Sequence, residues 1–127
     1  ICKSKNIKST GFEFKKLKNT GDSRTTYVSP QGIQRFLSGN YRDSAEHVAF
    51  MVGLIHQNAS ATINAMEIRL RRSDTRTLLH IKPTNDGNYV RKPSPMFGKC
   101  VNFDTVHSRT SEGKIGDLNL CHFFLEH

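Results

Sequence analysis

The sequence predicts an α+β domain: an antiparallel sheet of about five to seven strands packed on one main buried helix, with a short second helix. Three observations carry this. Residues 64–82 (NAMEIRLRRSDTRTLLHIK) hold two extended runs separated by a polar break. Residues 43–56 hold a long apolar stretch that opens on a capping signal. Short alternating segments near both ends supply further strands.

The elements follow in chain order. Residues 1–10 are polar and Lys-rich and read as a basic arm. Residues 11–18 (GFEFKKLK) alternate Phe12, Phe14 and Lys16 with Glu13, Lys15 and Leu17, which predicts a strand with a basic exposed side. Residues 19–23 (NTGDS) are a turn by composition, and residues 24–29 a second short strand stopped by Pro30. Ile33, Phe36 and Leu37 have helical spacing, so residues 31–37 read as the short helix, ended by Ser38-Gly39-Asn40.

Asp43, with Glu46 three residues on, resembles a capping box. The helix it opens carries Val48, Ala49, Val52 and Ile55 on one stripe and Phe50, Met51 and Leu54 around the rest, the pattern of a fully buried helix. His47 and His56 lie nine positions apart on it, which is not the spacing of a shared metal site.

In residues 64–82, Met66, Ile68 and Leu70 alternate with Glu67, Arg69 and Arg71. With Arg72-Ser73-Asp74-Thr75 as the turn, Arg71 faces Arg76, Glu67 faces His80 and Ile68 faces Leu79. One face of this hairpin is then apolar and the other basic, and a one-residue slip would mix the two. Residues 83–88 are dense in turn residues, and Tyr89-Val90-Arg91 begins another strand. Lys92-Pro93-Ser94-Pro95 cannot lie inside a central strand. Residues 96–106 read as a strand bulged at Gly98, residues 107–116 as a polar loop, and residues 117–125 as the closing strand.

At 127 residues the chain is long enough for one domain with its own core. The expected organisation is an arm at 1–10, a single domain at 11–125, and Glu126-His127 as the remnant of a purification tag. The opening Ile1 suggests a fragment or a processed product. No apolar run approaches the ~20 residues of a membrane span. Three cysteines, Cys2, Cys100 and Cys121, are too few and too scattered for a disulfide framework, which fits an intracellular, reducing compartment. Cys121-His122 beside Cys100 lacks the ligand number and spacing of a zinc site, so these read as buried thiols and no metal or cofactor is expected. Phosphate-cradling glycine loops, HExxH and nucleophile elbows are absent from the sequence.

The formal net charge is +8. Residues 1–42 carry nine Lys/Arg against two acids, and residues 69–99 eight against two. Two such blocks meeting in space would favour a polyanion. The leading expectation is therefore electrostatic binding of nucleic acid, RNA ahead of DNA. The contacts would come from Arg69, Arg71, Arg72, Arg76 and Lys82 of the hairpin, Lys15, Lys16 and Lys18 of the first strand, and Arg91-Lys92. Phe12, Phe14, Tyr27, Tyr41, Tyr89, Phe97 and Phe103 are interleaved with these charges, and one or two would stack on bases. The bland alternative is that the same charges are solvated guards against edge-to-edge pairing.

A second expectation is a small metal-independent ribonuclease or toxin domain. It would use His80 held by Glu67, with His107 or His122 as partner and a cation for the phosphate. A third is a self-assembling, coat-like protein whose basic arm neutralises packaged nucleic acid and whose sheet edges make homo-oligomeric contacts.

Overall fold

The computed structural model describes residues 11–37, 47–109 and 116–127. The fold is α+β, with a four-stranded mixed sheet and four helices. The order along the chain is β1 (Gly11–Leu17), α1 (Gly21–Val28), α2 (Gln34–Leu37), β2 (Val48–Ile55), α3 (Ala59–Arg71), α4 (Ser73–Leu79), β3 (Phe103–His107) and β4 (Leu118–Glu126). The sheet order is β1-β2-β4-β3. β2 is parallel to both β1 and β4, and only β3 and β4 are antiparallel. The expected all-antiparallel sheet of five to seven strands is thus a four-stranded, largely parallel one.

Two expected strands hold: residues 11–18 are β1 except for Lys18, and residues 117–125 are β4 except for Asp117, with β4 running on to Glu126 opposite Ile55. The long apolar stretch is a strand and not a helix. β2 (VAFMVGLI) lies between two parallel neighbours with both faces covered, so its apolar run never alternates. Ala49, Met51 and Ile55 face the main core, while Val48 and Phe50 join a second cluster on the opposite face. Gly53 is required here, since a Cβ would sit 2.6 Å from the Phe124 ring. The capping signal at Asp43 and Glu46 and the expected turn at residues 38–40 fall outside the described residues, as does the arm at 1–10.

Residues 24–29, expected as a strand, belong to α1. Thr20 caps it by accepting a hydrogen bond from the Ser23 N–H at 3.1 Å, and Asp22 sits in its first turn, where the helix dipole favours an acid. The expected hairpin at residues 64–82 does not form. In its place stand α3 and α4, broken at Arg72, whose ψ of 141° is extended. Met66 and Leu70, four residues apart, are fully buried, while Ile68 is 56% exposed. Glu67 and Arg71 pair at the same i,i+4 spacing. Of residues 96–106, only Phe103 onward joins the sheet; residues 89–98 contribute isolated bridges, Arg91 with Asp104 and Ser94 with Gly98.

All four helices share one main core with a single sheet face: Tyr27, Val28, Phe36, Leu37, Met66, Leu70 and Leu79 pack on Leu17, Met51, Ile55, Phe103, Leu120 and Phe124. On the other face Val48, Val101 and Cys121 are buried beneath Met96 and Phe97. Phe12 and Phe14 stand on that second face at 51% and 57% exposure; Phe14 stacks on Phe12, and Phe12 on Phe50 with centroids 4.9 Å apart. The exposed side of β1 is therefore aromatic as well as basic, and its buried side holds Glu13 and Leu17. Among the described residues no helix is long and apolar enough to cross a membrane.

The helical assignment of residues 64–82 predicts unequal costs for two residues that a strand would place side by side. Leu70→Ala is expected to cost about 2–5 kcal/mol, and Ile68→Ala to stay within about 0.5 kcal/mol. Urea denaturation of the two variants checks this, and equal costs would restore the hairpin.

Candidate functional site

The last turn of α3 and the irregular segment between α4 and β3 enclose a cleft of about 790 Å³. Its wall includes Arg71, Lys82, Arg91, Lys92 and Tyr89, together with the polar turn Thr84, Asn85, Asp86 and Asn88. The turn is fixed from within: Thr84 hydroxyl and Asn88 N–H both donate to Asp86, and Gly87 takes the left-handed φ of +79° that closes it. These bonds, that from Thr84 foremost, hold the Asp86 carboxyl below the usual range, so it is ionised in the wall.

The four cations are held by carboxylates. Glu67, nearly buried, accepts from Arg71 Nη2 at 3.3 Å and from Lys92 Nζ at 3.1 Å, so one negative charge serves two cations. Arg71 Nε also donates to Asn88 Oδ1 at 3.0 Å. Lys82 pairs with Asp117 at 2.8 Å in a half-exposed bridge. Arg91 lies 3.5 Å from the buried Asp104 and donates to Asn119 Oδ1. Behind the wall, the Arg76 guanidinium lies 4.0 Å from the centroid of the Tyr89 ring.

The remaining expected cations lie elsewhere. Arg69 donates to Thr75 and Thr25, and Arg72 forks onto Asp74, whose carboxyl is lowered to about 2 chiefly by that bond. Lys15, Lys16 and Lys18 belong to β1 and the residue after it, at the sheet edge opposite β3, with Lys15 paired to Glu13 at 3.4 Å. Among the described residues the cleft gathers Arg71, Lys82, Arg91 and Lys92, and the first-strand lysines are not part of its wall.

The four residues of the expected ribonuclease site are divided between places: Glu67 in the cleft's ion pairs, His80 at the end of α4, and His107 with His122 in the core. With no hairpin, Glu67 does not face His80; it is spent on Arg71 and Lys92. His80 is exposed at the end of α4, in the left-handed region at φ 53°. His107 and His122 do meet, but inside the core and bridged by a hydroxyl. Thr105 Oγ1 is 2.7 Å from His107 Nε2 and 2.8 Å from His122 Nε2; Tyr27 Oη is 2.8 Å from His122 Nδ1; and His107 Nδ1 is 2.7 Å from the Leu79 carbonyl.

Proton bookkeeping fixes this chain in one direction. A carbonyl only accepts, so His107 Nδ1 carries the proton and its Nε2 accepts from Thr105. The Thr105 oxygen must then accept from His122 Nε2–H, and His122 Nδ1 accepts from the Tyr27 hydroxyl. Every polar atom is satisfied with both imidazoles neutral. Burial pushes His107 down to about 4, and burial followed by the neighbouring His107 puts His122 well below the ordinary range. Burial likewise raises the Tyr27 hydroxyl, so it stays a donor.

Cys121 and His122 point to opposite faces of β4. Cys121 is a free buried thiol, its pKa raised by burial and then by nearby Asp104. Cys100 is disulfide-bonded, which corrects its reading as a buried thiol and removes that argument for a reducing compartment. Among the described residues no group of three metal-ligating side chains gathers. Thr105, Tyr27, Asp104 and Asn119 were not foreseen as partners. The alternation of Thr105 and His107 on one strand was the available signal; the contact with Tyr27 depends on α1 being a helix.

No family model matches the chain, and no curated protein or solved structure is significantly similar to it.

The chain of bonds sets a pH dependence. Unfolded imidazoles take up a proton near 6.5, folded His107 only near 4, so the unfolded state binds more protons between these values. The contribution of His107 is then level above about pH 6.5 and is lost as pH drops toward 4, roughly 3 kcal/mol in all. Chemical denaturation at a series of pH values measures this. Thr105→Val keeps the shape but orphans a donor on His122 and an acceptor on His107, and is expected to cost about 2–6 kcal/mol at about 1–3 per group.

Proposed function

We propose that this chain is a nucleic-acid-binding domain, with RNA favoured over DNA, which holds the phosphodiester backbone along the cleft between α3 and β3. The observation that carries this reading is the convergence of Arg71, Lys82, Arg91 and Lys92, from three separate stretches of chain, on one cleft of about 790 Å³ that also contains an aromatic ring. Thr84, Asn85 and Asn88 supply hydrogen-bonding groups at the same wall, suited to a ribose 2′-hydroxyl. The internal use of all four ring nitrogens of His107 and His122 supports binding without turnover.

The ion pairs shape how such binding would depend on salt. Exposed pairs are worth about 0–1 kcal/mol each, so a phosphate can displace Asp117 from Lys82 or share Lys92 with Glu67 at small cost. Each contact exchanges one anion for another and does not neutralise a bare cation. The salt dependence should therefore be shallower than four free cations would give.

The test is fluorescence anisotropy of a labelled 20-mer RNA at low and moderate salt, followed by a denaturing gel. The reading expects binding that weakens with salt and leaves the RNA intact. Arg71→Gln/Lys82→Gln/Lys92→Gln should reduce affinity about tenfold or more at low salt and flatten the salt slope by about 1–3. Lys15→Gln/Lys16→Gln/Lys18→Gln removes the same charge from the opposite sheet edge and should do much less. Equal losses from the two triples would reduce the cleft to part of a diffuse field, and no binding at low salt would reject the proposal.

A further inference from the structure

Tyr89 is built into the cleft in a way that phosphate contacts alone do not explain. Its ring packs partly on the main core, and both neighbours are fixed: Asn88 Oδ1 accepts from Arg71 Nε at 3.0 Å and from the Val90 N–H at 3.2 Å, while Val90 is buried. The Arg76 guanidinium carbon stands 4.0 Å from the ring centroid. Arg76 does not itself line the cleft, whereas Tyr89 is part of its wall. Arg76 Nε is buried without a hydrogen-bond partner among the described residues, which leaves the ring as the guanidinium's main contact in this direction. The result is a half-buried ring in the cleft wall, covered on one face by Arg76 and accompanied in the wall by Arg71 and Lys92 on their shared Glu67.

A planar π-face offered beside two phosphate-binding cations suits an unstacked nucleobase. Stacking is tolerant of base identity, and because the ring is already half-buried little further order is lost when a base covers it. A cavity near 790 Å³ is of the size that takes one small ligand, and a base inside a duplex cannot reach its wall. We infer that the cleft seats one unpaired nucleobase on Tyr89, with the adjoining phosphate on Arg71 and Lys92, which makes the domain selective for single strands. This rests on the nucleic-acid reading above and adds the base to it.

The experiment compares three ligands of one length: a single-stranded RNA 20-mer, the same backbone with abasic positions throughout, and the duplex. Each is measured by anisotropy against wild type, Tyr89→Phe and Tyr89→Leu. Wild type is expected to hold the base-bearing strand about tenfold tighter than the abasic one, and the duplex no better than the abasic strand. Tyr89→Phe should keep this preference and Tyr89→Leu should lose it while retaining abasic binding. The chain has three tyrosines and no tryptophan, so tyrosine emission gives a second readout. Saturation with the base-bearing strand should quench wild type more than Tyr89→Phe, whether or not Tyr89→Leu folds. Equal binding of base-bearing and abasic strands by wild type would overturn the base site and leave the phosphate reading standing. Absence of binding to all three would overturn both.

Discussion

The hydrogen-bonded chain from Tyr27 through His122, Thr105 and His107 to the Leu79 carbonyl is the constraint on which the rest of the structure depends. It ties α1, β4, β3 and the end of α4 together in the one core that all helices share. His122 is also sandwiched by aromatic rings, 4.7 Å from Phe103 and 5.9 Å from Tyr27 between centroids. Apolar packing tolerates sliding, whereas a run of directional bonds in a dry core is satisfied in one arrangement only. Immediately after Leu79 the chain turns through His80, bridges from Ile81 to His107, and bonds Lys82 N–H to the Val106 carbonyl at 2.8 Å. The floor of the cleft is thus laid down by the same bonds that seat α4.

From there the cleft is a matter of charge. Glu67 is buried on α3 and would be costly there alone, since an unpaired carboxylate loses its hydration. Two cations resolve that cost, one from its own helix and one from the segment beyond the turn, and both are thereby held at the rim. Buried Asp104 does the same for Arg91, its Oδ2 also accepting from the Ser94 hydroxyl and the Asn119 amide. The basic wall is positioned by the acids behind it. At the other sheet edge Lys15 is likewise paired with an acid, Glu13.

How much of this was legible in the sequence differed from element to element. β1 and β4 could be read because residues of each alternate between faces of unlike polarity or depth. β2 could not: Val48 to Ile55 is apolar on both sides, and a buried strand and a buried helix write the same unbroken run. The length of eight and the Val/Ile content were the cues in favour of a strand. In α3, Met66, Ile68 and Leu70 mimic alternation, but Ile68 is solvent-facing and the true spacing is Met66 to Leu70. The Ala, Met, Glu, Leu and Arg content of that stretch, all strong helix formers, pointed the right way. The cleft's arginines and lysines were all named, yet their grouping depended on the helix–strand assignment, so Lys15, Lys16 and Lys18, which do not line the cleft, were grouped with them.

The position of β4 bears on how the molecule comes into being. Among the described residues it is the last of four strands in sequence order, yet it sits inside the sheet, between β2 and β3. Val48 pairs with Asn119, so this ladder joins residues some seventy positions apart. While the chain is being made, β2 and β3 have an empty lane between them, with apolar faces and unpaired amides on both sides of it. Closing loops of that size is slow, and a half-made sheet is sticky. A nascent chain of this kind therefore spends its most vulnerable interval waiting for β4, and any guardianship it needs from chaperones is needed then.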